Sequence, residues 1–235
     1  MPYAPELKSV VARYAKSLAV PNGLQQLHVR KKHRPEAKHM ALGPAIVLTS
    51  VSAFEGFLEE FIAVVGAKRG LSFAQIAKLA NTNSPSLRDF EKNLVSQLGN
   101  WSPNTWRSQF ALTVFSPPQL GQSNWRAEVD ISWEQALDQA DGWLQVRHSL
   151  AHGLTRGYLS EHWPTPMRQG LHASSVLRPQ KDNKYSLTLH GAITCARIFR
   201  HSSEALVTQT AIALGEKPPS WRAVPAFPLA GAEQE

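Results

Sequence analysis

A single cysteine, Cys195, excludes an intrachain disulfide and any zinc site built on cysteine pairs, and it fits a reducing, cytoplasmic setting. Long uninterrupted apolar runs are missing too. The longest apolar stretch, Ala45 to Val65, carries Glu55, Glu59 and Glu60, which argues against a membrane span. There is no glycine-rich phosphate loop and no nucleophile elbow, and Ser149 has no elbow context. The opening residues, Met1-Pro2-Tyr3-Ala4-Pro5-Glu6, lack the basic-then-apolar layout of a signal peptide. What is present is ordinary globular composition: 235 residues, 43% hydrophobic and 18% charged, enough for one good core. A soluble, single-domain protein with short appendages is expected.

Positive charge is in excess and uneven. Of the net charge of +7, residues 1–40 supply +6, with eight Lys or Arg against Glu6 and Glu36. Arg30, Lys31, Lys32 and Arg34 are the densest part and are the candidate RNA-binding residues, because such a patch attracts nucleic acid by releasing counterions from phosphates. Charge alone favours the plainer reading, a solvated basic face.

Periodicity divides the chain into a basic N-terminal helical segment (1–40), a helical domain (41–215) and a Pro-rich tail (216–235) that reads as a mobile arm. A first helix over Glu6 to Ala19 should stop at Pro21-Asn22-Gly23. Gly43-Pro44 then opens the strongest helix, where Val47, Val51, Phe54, Leu58, Phe61 and Val65 repeat with 4-3 spacing. Shorter helices are expected over Phe73 to Ala80 and Ser86 to Leu98, the second signalled by Ser84-Pro85. From Asn100 to Trp125 the pattern dissolves into an irregular insertion, and Thr155 to Lys184 is again irregular. A short strand over Tyr185 to His190 and a helix from Ala192 to Leu214 complete the chain. The architecture is mainly α, a bundle of four to five helices with long connecting loops.

The candidate site lies in the helix from about Ser132 to Ala151, which Ser132 and Gln135 open as a capping box and Gly153 closes. Its apolar stripe reads Trp133, Leu137, Ala140, Leu144, then Arg147 where an apolar residue belongs, then Ala151. His152 follows at the helix end. Arg, four residues, His is a weak signal in itself: 14 Arg and 9 His in 235 residues give on the order of half a chance match. Context separates this instance from Arg34 to His39, where Pro35 keeps Arg34 extended, and from Arg156 to His162 around Gly157. Arg147 and His152 stand roughly 140° apart around the helix axis. A site using both must lie over the helix end, or be completed by a second helix or subunit.

The run Trp133-Glu134 through Trp143-Leu144 to Arg147-His148-Ser149-Leu150-Ala151-His152-Gly153 resembles the HEPN superfamily, most closely its RiboL-PSP-type branch. Segment Ser50 to Glu60 looks like the other long helix of that fold, and the resemblance covers about residues 40 to 215. This chain has His148 where Asn is common after the Arg, so which imidazole acts stays open. The resemblance implies a metal-independent, cofactor-free endoribonuclease acting as a homodimer whose motifs meet across the interface. By matched position it makes Arg147 and His152 catalytic, with His148 orienting the substrate. It also allows a non-catalytic dimerisation or RNA-binding module, or a partner, encoded nearby, of a nucleotidyltransferase or toxin component. Residue chemistry agrees with cleavage: an imidazole near neutrality can take the proton of a 2′-hydroxyl, and a permanent guanidinium can meet charge accumulating on phosphorus.

Structural roles compete for the same residues. Arg147 could form a buried salt bridge to Glu55 or Glu59, with His152 placed at the negative end of the helix dipole. His148 and His152, one turn apart beside Asp141 and Gln145, have zinc-ligand spacing but no evident further ligand. Trp106-Arg107 and Trp125-Arg126 suit stacking on unpaired bases, or packing of the insertion onto the bundle.

Overall fold

In a computed structural model the stripe of residues 45–65 folds as one long helix, and the structure describes residues 6–27, 41–80, 86–99, 101–102, 104–116, 127–152, 173–181 and 185–229. In chain order the elements are α1 (Leu7–Ser17), α2 (Ala19–Gln26), α3 (Leu42–Lys68), α4 (Phe73–Ala80), α5 (Leu87–Leu98), α6 (Asn104–Arg107), β1 (Leu112–Phe115), β2 (Glu128–Ile131), α7 (Trp133–Ala151), a 3-10 turn (Ala173–Val176), β3 (Arg178–Pro179), β4 (Tyr185–Ser186) and α8 (Leu189–Ala213). The fold is mainly α-helical. No helix among the described residues is long and apolar enough to cross a membrane.

All six residues of the α3 stripe are fully buried, and so are Ile46 and Ile62 beside it. A helix apolar around most of its circumference must be covered on most sides. α3 is accordingly the axis of the bundle, touched by α1, α2, α4, α5, α7 and α8. Phe54 sits at its middle, 4.7 Å from the Phe199 ring of α8 and 6.4 Å from that of Phe90 of α5. α8 ends in a Schellman motif: Gly215 has φ 71°, a left-handed backbone that favours glycine, and Glu216 N–H reaches back to the Ala211 carbonyl.

Four details depart from the sequence expectations. Pro21 does not stop the helix it was read as ending. The chain breaks at Leu18 and α2 then runs through Pro21, Asn22 and Gly23, because Pro21 falls in the first turn, where its missing N–H costs nothing. α5 takes Ser86 rather than Ser84 as its N-cap, in a capping box with Asp89. His190 belongs to α8, and the strand there is only Tyr185–Ser186. The insertion between Asn100 and Trp125 is also not wholly irregular. It contains α6 and also β1, which pairs antiparallel with β2, Leu112 opposite Ile131 and Phe115 opposite Glu128. Side chains of α8 serve the outer edge of β1: Phe115 N–H donates to Thr194 Oγ1 at 3.1 Å and Arg197 Nε donates to the Thr113 carbonyl at 2.9 Å.

The tail read as mobile over 216–235 is packed as far as it is described. Trp221, Val224, Phe227 and Leu229 are buried, and Arg200 lies over the Trp221 ring, 5.3 Å from its centroid. Arg197 Nη1 donates to the carbonyls of Ala226 (3.2 Å) and Phe227 (2.8 Å), and Gln25 Nε2 donates to that of Pro228 (3.2 Å). An extended segment buries spaced side chains without helical period, so no periodic signal was available.

His201 is held in this junction. Burial first, then the neighbouring Arg200 and Arg197 guanidiniums, lower its pKa from 6.5 to about 3, against a hydrogen bond to the Ala226 carbonyl and with Glu204 3.8 Å away. Arg200 Nη1 lies 2.9 Å from Nδ1, which must therefore be the acceptor, leaving Nε2–H to face the Ala226 carbonyl at 3.3 Å. A protonated ring cannot accept from Arg200. The unfolded state thus takes up a proton that the folded state refuses, and stability falls as pH drops from about 6.5 towards 3. Thermal unfolding between pH 7 and pH 4 should show His201→Gln losing less Tm than the wild type; parallel curves would assign the acid sensitivity elsewhere.

Candidate functional site

α7 begins as its sequence demands: the Ser132 hydroxyl accepts from Gln135 N–H and the Gln135 side chain accepts from Ser132 N–H. Its buried face is Trp133, Ala136, Leu137, Ala140, Trp143, Val146 and Ser149. Relative to the expected stripe, this face is turned towards Trp143 and Val146, so Leu144 is half-buried and Ala151 exposed. The two aromatic anchors dictate the rotation, since Trp133 and Trp143 contribute far more apolar area than Ala151 does.

Arg147 lies half-buried at the flank of that face. Its Nη2 donates to Glu55 Oε2 of α3 at 2.7 Å, with side-chain exposures of 26% for Arg147 and 16% for Glu55. The ion pair anticipated from sequence is therefore present with Glu55, while Glu59 is exposed. Burial pushes the Glu55 carboxyl above its ordinary range, the Arg147 charge pulls it back, and the Glu59 charge adds to the rise. The other oxygen, Glu55 Oε1, is buried without a hydrogen-bond partner among the described residues.

His152 is the C-cap of α7, its backbone N–H bonded to the His148 carbonyl, and both imidazoles are exposed. Their ring centroids are 4.4 Å apart with planes tilted by 58°. The spacing thus brings His148 and His152 together on one face, whereas Arg147 turns to α3. An imidazole pair at the negative end of a helix and a guanidinium anchored one residue earlier make up the site.

Neighbouring polar residues are engaged elsewhere. Asp141 accepts from Arg88 Nε at 3.1 Å, and Arg88 also pairs with Asp138 and with Glu134 (3.4 Å). Burial raises the Asp141 carboxyl, offset by Arg88. Gln145 Oε1 accepts from Ala173 N–H at 2.8 Å, tying the 3-10 turn to α7. Among the described residues no group of three or more His, Cys, Asp or Glu could hold a metal ion.

No protein-family model, curated protein or solved structure matches this chain significantly. The site therefore rests on its own geometry.

Trp106-Arg107 is not a stacking platform. Trp106 is buried edge-on against Trp133, with centroids 4.6 Å apart, and Trp101 stacks on it. Arg107 binds both oxygens of Glu91 and lies 3.3 Å from Glu134. Trp125-Arg126, Gly153, and the basic quartet Arg30, Lys31, Lys32 and Arg34 fall outside the described residues. Of the remaining basic residues near the N-terminus, Lys8 pairs with Glu6 and Arg13 with Glu60. The Arg88 ladder was not anticipated, although Glu134, Asp138 and Asp141 stand at the 4-3 spacing of one helix face, a signal for a single cation bridging from another helix.

Proposed function

We propose that this protein is a metal-independent endoribonuclease of the HEPN type, in which His152 exchanges the proton of the reacting 2′-hydroxyl and Arg147 meets the charge that develops on phosphorus. The observation carrying this reading is the exposed His148–His152 pair on the last turn of α7, with the Arg147 guanidinium held on the flank that faces α3. In the reaction the 2′-oxygen attacks phosphorus while an imidazole removes its proton, the bond to the 5′-oxygen breaks, and an imidazolium returns a proton to that oxygen. One strand then ends in a 2′,3′-cyclic phosphate and the other in a 5′-hydroxyl. With two imidazoles adjacent, His148 is suited to orient the scissile phosphate. Among the described residues Glu55 holds Arg147 through one nitrogen, which leaves the rest of the guanidinium fork for a phosphate oxygen.

Arg147 and His152 diverge around α7, and a homodimer in which two α7 ends meet would supply the missing half of each site. Light scattering tests this: a fully active monomer at micromolar concentration contradicts it. The decisive assay is incubation of a mixed RNA pool with the full chain in excess chelator, wild type against His152→Ala.

The Arg147–Glu55 ion pair favours a second reading, a non-catalytic dimerisation or RNA-binding module in which the cation is structural. Under both readings the basic quartet carries RNA affinity. Replacing Arg30, Lys31, Lys32 and Arg34 by Ser should weaken RNA binding and flatten its salt dependence by up to about four ion equivalents, with circular dichroism unchanged. An unaltered salt slope would reduce that quartet to a solvated face.

A further inference from the structure

His148 and His152 are the one pair of adjacent, solvent-exposed imidazoles among the described residues, and neither has a hydrogen-bond or ion-pair partner among them. Two histidines four residues apart on a helix face can share one metal ion, as in helical zinc sites. Bonds of about 2.1 Å from an imidazole nitrogen to a common ion place the two ring centres roughly 4.5–5 Å apart. The observed 4.4 Å needs only a small rotation to match. The helix end adds to this, because the last carbonyls of α7 carry the negative pole of its dipole and favour a cation there. Imidazole ligands select borderline ions such as Zn²⁺ and Ni²⁺ over Mg²⁺ and Ca²⁺, which prefer oxygen.

We infer that His148 and His152 form a two-imidazole chelate for a borderline divalent cation, completed by water, and that the bound ion switches the site off. The chelate stands on ring geometry alone; the switching rests on the nuclease reading above. A metal-bound His152 has donated to the ion the lone pair that would take the 2′-hydroxyl proton, and His148 is held with it. Zinc or nickel is then an inhibitor of a metal-independent reaction, and a chelator restores it.

The test uses the untagged full chain, stripped of metal, titrated calorimetrically with Zn²⁺ and with Ni²⁺, with Mg²⁺ as control. Wild type should bind one equivalent more than His148→Ala or His152→Ala, or bind its tightest equivalent at least about tenfold more strongly, since losing a ligand costs no less than losing an outer-shell partner. Zn²⁺ should also raise the Tm of the wild type more than that of either variant, because the pair is pre-formed only in the folded helix. Both side chains are exposed, so the variants are expected to fold, and circular dichroism checks this. Equal stoichiometry and equal affinity in all three proteins would overturn the chelate. In a parallel RNA assay Zn²⁺ should suppress wild-type cleavage reversibly; stimulation by Zn²⁺ would overturn the switch. If the metal-free wild type cleaves no RNA, the nuclease reading and the switch fall together, and the calorimetric difference still decides the chelate.

Discussion

His152→Ala should lower the rate of RNA cleavage by about two to four orders of magnitude, the usual contribution of a positioned acid or base, with the loss in kcat rather than in RNA affinity. The side chain is exposed at the end of α7 with its ring against that of His148, so its removal leaves the core of the described residues untouched. The assay is run in excess chelator, and the wild-type products should carry a 2′,3′-cyclic phosphate. Arg147→Ala should cost a similar factor through lost charge stabilisation, but it also strands the half-buried Glu55 carboxylate, so its unfolding curve must be read beside its rate. His148→Ala should do less. Cleavage of a substrate with a 2′-deoxy group at the cut site, or a folded His152→Ala variant at full rate, would transfer the reading to the non-catalytic module.

The second large effect is on stability. Trp133→Ala should destabilise the protein by about 3–5 kcal/mol, the range for removing a fully buried tryptophan, which lowers Tm by on the order of 10 °C at this chain length. Trp133 is 1% exposed and forms the joint between the insertion and the bundle, meeting Trp106 and Phe110 edge-on at 4.6 and 5.1 Å. Its loss opens a cavity beneath α6 and removes the surface on which the Trp101–Trp106 stack rests. Differential scanning calorimetry measures the effect. A Tm within about 2 °C of the wild type would mean that the insertion repacks independently of α7.

Sequence was a good guide to the helices on which these residues lie and pack. α3 and α7 were readable because a 4-3 apolar stripe and a Ser/Gln capping box are local signals, each complete within one element. Arg147 was readable as a cation on an apolar stripe, and Glu55 as one of two possible partners. Choosing between Glu55 and Glu59 required the rotation of α3 against α7, which only tertiary packing sets. β1 and β2 left no trace because each has four residues and a twelve-residue separation replaces a tight hairpin turn. The segment 216–229, of which Trp221, Val224, Phe227 and Leu229 are buried, was illegible for a related reason: side chains distant in sequence, Gln25, Lys68, Arg197 and His201, supply the hydrogen bonds that hold it. Pro21 misled because a proline in a first turn and a proline that ends a helix look alike until the preceding break is known.

The central pairing of α3 with α8 bears on how the chain is made. About 120 residues separate the end of one helix from the start of the other. At roughly 5–20 residues per second, a ribosome delivers α8 on the order of ten seconds after α3 has emerged. During that interval the most apolar helix of the protein lacks the helix it packs on most extensively, and α1, α2 and, as they emerge, α4, α5 and α7 cover only its other sides. Closure of the core therefore waits for α8 and is slow for a helical protein, because its contacts are long-range. Nascent chains halted before residue 189 should bind chaperones and resist folding, whereas chains extended past residue 229 should close.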